Sequence, residues 1–253
     1  MIINRLSKYL SISMLSILTL FSFSSNVYPQ FQIDLESGGV FSGYNDVRIP
    51  GDTGTLFSLS EELEADPTVF FRGRLFYTIN SRHTILLLIA PLSVKSTGQI
   101  ARDINFEGEI FSANTPLDAL YRFDSYRFSY QYELYKSQKF ELGLGLTAKI
   151  RDAEIRLEGG GVESTKTNVG FVPLINFNMH WHFHDKFGLL LDGDALAAPQ
   201  GRAEDVLAAL TYQSWDKLQF NLGYRILEGG ADNDEVYGFA LFHYIVLGLS
   251  LGF

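Results

Sequence analysis

The sequence predicts an all-β protein, an antiparallel barrel of about ten strands, with eight as the alternative count. Three observations predict this fold. Apolar and polar residues alternate along several long segments, and short and long connections between these segments take turns along the chain. The composition is also rich in aromatic residues and glycine, with 13 Tyr, 21 Phe and 23 Gly in 253 residues.

The composition excludes several classes of protein. Charged residues make up 19% of the chain, whereas a disordered segment needs many charges and few aromatics. The heptads of Ala, Glu, Lys and Leu that build a coiled coil are missing. With no cysteine, disulfides, thiolate metal sites and thiol nucleophiles are excluded. The formal net charge of −9 argues against a nucleic-acid partner, which requires a basic surface.

The N-terminal segment predicts a secretory signal peptide over residues 1–29. Arg5 and Lys8 precede an apolar stretch at residues 10–23, and small or turn-forming residues follow it. A basic start, a short apolar stretch and a small-residue exit are typical of signal peptides. The alternative is a membrane anchor, but the stretch falls short of the ~20 residues that a spanning helix needs. We therefore expect export through the general secretory pathway and a barrel domain over residues 30–253.

The alternation has period two, which predicts strands with one apolar and one polar face. It is clearest in residues 126–134, 140–151 and 169–183. These segments are long enough for the ~9–11 residues that a transmembrane barrel strand needs, whereas strands of globular sheets average ~5–6. The ten predicted strands are residues 31–47, 67–79, 83–93, 118–135, 140–151, 167–183, 187–197, 204–213, 218–227 and 236–253.

The connections between the strands predict a membrane barrel independently. Four are tight, at residues 80–82, 136–139, 184–186 and 214–217, and five are longer, at residues 48–66, 94–117, 152–166, 198–203 and 228–235. Outer-membrane barrels have short periplasmic turns and longer external loops, and an even strand number leaves both termini in the periplasm. Within the first long loop, Ser58 and Glu61 form a capping-box pattern that predicts a short helix.

The last strand carries a resemblance to a known class. Apolar residues alternate with smaller ones over residues 236–253, and the chain stops at Phe253. In this the sequence resembles Gram-negative outer-membrane β-barrel proteins as a class. The resemblance implies an outer-membrane location among lipids that include lipopolysaccharide. It also implies that the barrel-assembly machinery reads Phe253. Only the final nine residues are specific to the motif, so no functional residue is carried over.

The polar strand faces predict a charged barrel interior. Six acids and six bases are expected to face inward: Asp34, Glu36, Glu133, Glu141, Asp192, Asp194, Arg72, Arg74, Arg127, Lys149, Arg151 and Arg225. Charges in a narrow lumen must be paired or hydrated. We expect a salt-bridge network that plugs the lumen. The alternative is a narrow channel for small solutes, because ten strands lie close to the size at which a lumen opens.

A metal site is a further hypothesis. His180 and His182 share a strand face, imidazole suits Zn, Cu and Ni, and Glu141 begins the neighbouring strand as a third candidate ligand. The alternative is a pair of hydrogen-bonded, metal-free histidines in the lumen or at its periplasmic mouth.

The acidic loops at residues 48–66 and 228–235 offer oxygen ligands for divalent cations, which could bridge to lipopolysaccharide phosphates; the alternative is a solvated loop surface.

No cofactor is expected. The G-x-G-x-x-A pattern of residues 143–148 lies inside an alternating strand, with no helix after it to bind a pyrophosphate.

Some small outer-membrane barrels are lipid A-modifying enzymes or proteases, whose site needs a base at or above the outer leaflet. Only His243 of five histidines lies away from the periplasmic side. A lipid A deacylase-like His-x-Ser would need a serine where Ile245 stands. The sequence thus predicts a non-enzymatic barrel with a structural or loop-mediated role, the alternatives being a narrow channel and a lipid-active enzyme.

Overall fold

The computed structural model describes residues 30–199 and 201–253. The predicted signal peptide, residues 1–29, lies outside the described residues. The described part of the chain forms fifteen strands and no helix. The strands are β1 (Phe31–Arg48), β2 (Phe57–Ser58), β3 (Glu64–Ala65), β4 (Thr68–Ile79), β5 (His83–Ala90), β6 (Ser93–Gln99), β7 (Ile104–Phe106), β8 (Glu109–Phe111), β9 (Pro116–Lys136), β10 (Phe140–Gly159), β11 (Val162–His184), β12 (Phe187–Ala198), β13 (Gly201–Trp215), β14 (Leu218–Asp232) and β15 (Tyr237–Gly252). Within residues 30–199 and 201–253, no helix is long and apolar enough to cross a membrane.

Ten antiparallel strand positions close into a barrel, which confirms the predicted fold class and strand count. The first strand pairs with the last, from Gln32 opposite Gly252 to Arg48 opposite Tyr237. Strands β5 and β6 both pair with β9, on either side of an interruption at Pro91, and together fill one position. The pairing of β9 with β10 then joins this half of the sheet to β11–β15. Because every barrel strand has two neighbours, the barrel exposes no sheet edge.

The two faces of the barrel follow the alternation in the sequence. On β10, Leu144 and Leu146 are 47% and 69% exposed, whereas Thr147 and Lys149 are 3% and 2% exposed. The outer face carries a belt of exposed apolar residues from all parts of the barrel, including Leu35, Phe71, Ile89, Phe128, Phe171, Leu189, Leu210, Leu222 and Leu247. An outward apolar belt over an inward polar face is the pattern of a barrel that crosses lipid.

Three predicted external loops are wrong, because strands continue through them. Strands β10 and β11 stay in register up to Gly159 opposite Val162. They turn at Gly160 and Gly161, whose φ angles are +60° and +82°, a conformation that glycine adopts without steric cost. Strands β12 and β13 likewise stay paired up to Ala198 opposite Gly201, and β14 runs on to Asp232. Charged outward residues in these extensions masked the alternation of the inward ones, such as Ile155 and Leu157.

The other two predicted external loops are real, although strand β6 (Ser93–Gln99) takes up the first part of the predicted 94–117 loop, and they fold over the barrel end. Residues 49–67 and 100–115 pack their apolar side chains onto the upper lumen-facing residues of the barrel, forming what we call the loop cap. Its buried members are Val47, Ile49, Phe57, Leu59, Leu63, Ile100, Ile104, Phe106, Phe111, Leu117, Ala119, Ile155 and Leu157. Burial of this many apolar side chains holds the loops in place, since each contributes ~1.5–3 kcal/mol relative to exposure.

The short helix predicted near Ser58 is absent from this part of the structure. The capping hydrogen bonds do form, since the Glu61 amide donates to Ser58 Oγ at 3.2 Å and the Ser58 amide donates to Glu62 Oε2 at 3.0 Å. They close a single turn only. Strand β2 holds Phe57 and Ser58 against β1, and burial of Phe57, Leu59 and Leu63 requires a path that a helix would not follow.

Candidate functional site

Charged side chains from six barrel strands meet at the centre of the lumen. Their inward positions are set by strand alternation, since residues two apart share a face. Four arginines and five carboxylates form one connected set of ion pairs, which we call the lumen network. Its members are Asp34, Glu36, Arg72, Arg74, Arg127, Asp192, Asp194, Asp205 and Arg225.

Two carboxylates connect most of the lumen network. Asp205 lies 2.5 Å from Arg127, 2.6 Å from Arg225 and 2.9 Å from Arg72. Glu36 lies 2.8 Å from Arg225, 3.1 Å from Arg74 and 3.7 Å from Arg72. Each arginine thus bridges at least two acids that come from different strands.

The outer members extend these contacts to both sides of the lumen. Asp194 accepts from Arg127 at 2.6 Å and from Thr147 Oγ1 at 2.6 Å. Arg74 donates to Asp34 at 3.2 Å and also pairs with Asp192. These added hydrogen bonds offset part of the desolvation cost of the buried ion pairs, although the Nε atoms of Arg72, Arg74 and Arg225 have no hydrogen-bond partner.

The lumen network is shielded from water. None of its nine members exposes more than 6% of its surface. The cavity that touches Arg72, Arg127, Asp205 and Arg225 has a volume of 20 Å³, about the room that one water molecule needs.

Eight of the twelve predicted lumen charges belong to this network, and four lie outside it. Lys149 is opposite Arg127 in the strand register and is addressed below. Arg151 hydrogen-bonds to Asn168. Glu133 is half-buried with one carboxylate oxygen unpartnered, and Glu141 lies 3.9 Å from Lys136.

Asp205 is the functional residue that the sequence analysis missed. On the same strand face, Asp205 is followed by Leu207, Ala209 and Thr211. This face is therefore mostly apolar, and it lacks the alternation with polar residues that would predict an inward acid. The opposite face carries Val206 and Leu210, and their apolar character was the available signal for its orientation.

A second cavity, which we call the vestibule, lies between the lumen network and the loop cap. It has a volume of 520 Å³. Lys149 lines it at the level of the network, and Ile49 and Ile155 of the loop cap line it at the other end. Inward residues of β9–β15 form its walls, among them Tyr121, Phe123, Leu196, Ala203, Leu227, Ala240 and Phe242.

The predicted metal ligands meet near the other end of the barrel. Glu141 and His180 are cross-strand partners, and one ligand atom from each of Glu141, His180 and His182 lies within 4.8 Å of the others. His180 Nε2 also lies 3.0 Å from Thr211 Oγ1. The group offers two imidazoles and a carboxylate, a ligand set suited to Zn²⁺. Within residues 30–199 and 201–253, the acidic loops bring no three carboxylates this close together.

The remaining candidate residues lie on the outside of the barrel. His243 hydrogen-bonds to the Tyr224 hydroxyl at 2.5 Å, on the outward face. The Phe253 amide donates to the Phe31 carbonyl at 2.8 Å, which ties the chain end to the first strand, and the Phe253 side chain is 43% exposed. In the external loops, the Arg102 guanidinium donates to Glu62 and holds the pKa of that carboxyl below its ordinary value.

Comparison with known proteins identifies the fold. The chain is similar to the outer membrane protease OmpT of Escherichia coli, with a TM-score of 0.56 and 10% identity over 92% of this chain and 99% of that chain. Ail of Yersinia pestis gives 0.40 at 10% identity, covering 88% and 99% of the two chains. OprG of Pseudomonas aeruginosa gives 0.39 at 9% identity, covering 89% and 98%. No family model and no curated protein matches the sequence. The protein has the fold of the Gram-negative outer-membrane β-barrels.

Proposed function

We propose that the protein is a non-conducting barrel of the outer membrane, with no enzymatic activity, which acts through its external loops. The lumen network carries this proposal. Nine buried, mutually paired charges span the lumen, and the cavity beside them has room for about one water molecule. A conducting pore needs a continuous hydrated path, and a packed layer of ion pairs at this level supports a closed lumen.

The outer surface supports the location. Above the apolar belt, Arg202 pairs with Glu228 at 2.6 Å and lies 4.8 Å from the centre of the Phe239 ring. Charged and aromatic residues at this height suit the interface between acyl chains and headgroups. We infer that lipopolysaccharide surrounds this rim and that divalent cations bridge its phosphates to the acidic loops. The route is export by the general secretory pathway, followed by insertion through the barrel-assembly machinery.

The loops are the part of the protein available for interaction. The loop cap is a folded unit with its own buried apolar cluster, so it presents a stable surface to the outside. An enzymatic role has less support, because His243 faces outward and is bound to Tyr224, while His83, His180, His182 and His184 lie near the tight-turn end. No histidine of the described residues faces the external half of the lumen.

Conductance in planar bilayers tests the closed lumen. We expect little conductance from the refolded wild-type barrel. The charge-balanced variant Arg127→Ala with Asp205→Ala removes the pair at the centre of the network and should open a conducting path. The matched control is Arg202→Ala with Glu228→Ala, an ion pair on the outer face, which should leave conductance at the wild-type level. Steady wild-type conductance whose ion preference shifts with single lumen charges would instead identify a narrow channel.

A further inference from the structure

The vestibule has the size and shape of a ligand site. Its volume of 520 Å³ falls within the ~300–1,000 Å³ typical of small-molecule pockets. Its walls are mostly apolar, with aromatic side chains from Tyr121, Phe123 and Phe242. Such walls favour an apolar or aromatic ligand body.

The bottom of the vestibule carries an unpaired cation. Lys149 is only 2% exposed, and its ammonium lies 4.7 Å from the centre of the Phe123 ring. Within the described residues, no carboxylate lies within 4.0 Å of this ammonium. The acids nearest its cross-strand partner Arg127 are Asp194 and Asp205, and both are already paired with arginines.

A second cation lies beside it. Arg151 is two residues further along the same strand face, and both side chains line the vestibule. Its guanidinium binds the neutral amide of Asn168, while its Nε has no hydrogen-bond partner. The other two cations that line the vestibule have acid partners, since Lys166 pairs with Glu107 at 3.1 Å and Arg202 with Glu228 at 2.6 Å. Lys149 and Arg151 are therefore the two that lack an acid.

The acids that border the vestibule do not neutralise these cations. Glu154 is paired with Arg122 at 3.2 Å, and Glu228 is paired with Arg202. Glu235 lies on the exposed external connection after β14. The arrangement therefore leaves positive charge at the base of an apolar cavity, where a buried cation is costly without a counter-ion.

We propose that the vestibule binds a small organic anion with an apolar body, with its carboxylate between Lys149 and Arg151 and its body against the aromatic walls. The anion would supply the missing counter-charge, and arginine is well suited to hold a carboxylate through two parallel hydrogen bonds. This goes beyond the proposed function, because the vestibule would bind such a ligand whether or not the lumen below it conducts.

Binding of 2-naphthoate to the full mature barrel in nanodiscs tests the proposal, with empty nanodiscs as the blank. Isothermal titration should show saturable binding at one site per barrel. The neutral analogue 2-naphthylmethanol should bind at least tenfold more weakly, because it lacks the charge that Lys149 and Arg151 recognise.

Variants locate the site. Lys149→Met, which keeps the side-chain length and removes the charge, should weaken 2-naphthoate at least tenfold, and Arg151→Gln should do so if Lys149→Met fails to fold. The matched control is Arg156→Gln, on the outward face of the same strand, which should bind as wild type does. The proposal is overturned if the wild-type barrel does not bind 2-naphthoate or binds 2-naphthylmethanol equally well. It is also overturned if Lys149→Met or Arg151→Gln folds and keeps wild-type affinity for 2-naphthoate.

Discussion

Arg127 and Asp205 form a 2.5 Å ion pair in the middle of the lumen, although 78 positions separate them in the chain. Asp205 also contacts Arg72 and Arg225, so a single carboxylate forms ion pairs with guanidinium groups from three other strands. Because all four groups are nearly inaccessible to water, each depends on the others for its solvation. This dependence makes the energetic consequences of single substitutions predictable.

Removal of the Asp205 charge should destabilise the barrel strongly. Asp205→Asn keeps the shape of the side chain but leaves three buried arginines short of a partner, which should cost ~3–5 kcal/mol. Urea unfolding in lipid vesicles measures the change. The control is Glu204→Gln, one residue away on the outer face and in no ion pair within the described residues, which should change the free energy of unfolding by less than ~0.5 kcal/mol. Equal, small effects would indicate a hydrated lumen.

The apolar belt makes a second prediction. Leu144 is 47% exposed on the outer face of β10, so Leu144→Arg should place a charge against acyl chains and cost ~2–4 kcal/mol near the bilayer midplane. Glu158→Arg lies further along the same strand face, beyond the belt, and should cost ~0–1 kcal/mol. The same unfolding assay compares them. If Glu158→Arg lowered the free energy of unfolding more than Leu144→Arg, the bilayer midplane would lie nearer to Glu158 than to Leu144.

Deletion of Phe253 should separate recognition from stability. If the assembly machinery reads the terminal aromatic, the deletion should lower the amount of folded barrel in cells, seen as the compact band on an unboiled gel. Refolding into detergent, where no machinery is present, should proceed as in wild type. If the deletion variant reached normal levels of folded barrel in cells, Phe253 would have no role in recognition by the assembly machinery. If the variant also refolded poorly in detergent, Phe253 would contribute to the stability of the barrel instead.

The cluster of Glu141, His180 and His182 should respond to Zn²⁺. If these residues bind the ion, Zn²⁺ should raise the thermal unfolding temperature of the metal-stripped barrel, since a ligand that binds only the folded state stabilises it. His182→Ala should abolish the increase, while His184→Ala, outside the cluster, should keep it. A wild-type barrel that does not respond to Zn²⁺ would leave the histidines as hydrogen-bonding groups only.

The protection of the first external loop against hydrogen exchange should fall at acid pH. Because Arg102 lowers the pKa of Glu62 from its ordinary value of 4.5, the pair contributes fully above about pH 4.5 and is lost as pH falls through the lower, folded-state pKa. Both side chains are partly exposed, which weakens the ion pair. We therefore expect the hydrogen-exchange protection factor of the Leu63 amide to fall only about two- to fivefold between pH 6 and pH 2. Glu62→Gln should remove this pH dependence.

The strand pattern was predictable because it is local. Alternation along a strand depends only on neighbouring residues, so the sequence predicted the ten barrel strands and the outward belt. It also predicted eight members of the lumen network, because these charges lie on the polar faces of strands whose other face is apolar. The ends of the strands were less predictable. Near Gly160, outward charges hid the alternation, and a glycine pair that looked like part of a loop was a tight turn.

Along the middle of most strands, the sequence by itself determined which residues face lipid and which face the lumen, because period two is a property of each strand alone. Only the tertiary structure decided which lumen charges meet. Arg225 and Glu36 pair at 2.8 Å across 189 positions, a distance that depends on the stagger of every strand around the closed barrel. The same closure brings Asp205 into the network and leaves Lys149 without an acid, because side-chain partners across a lumen are set by the register of the whole sheet.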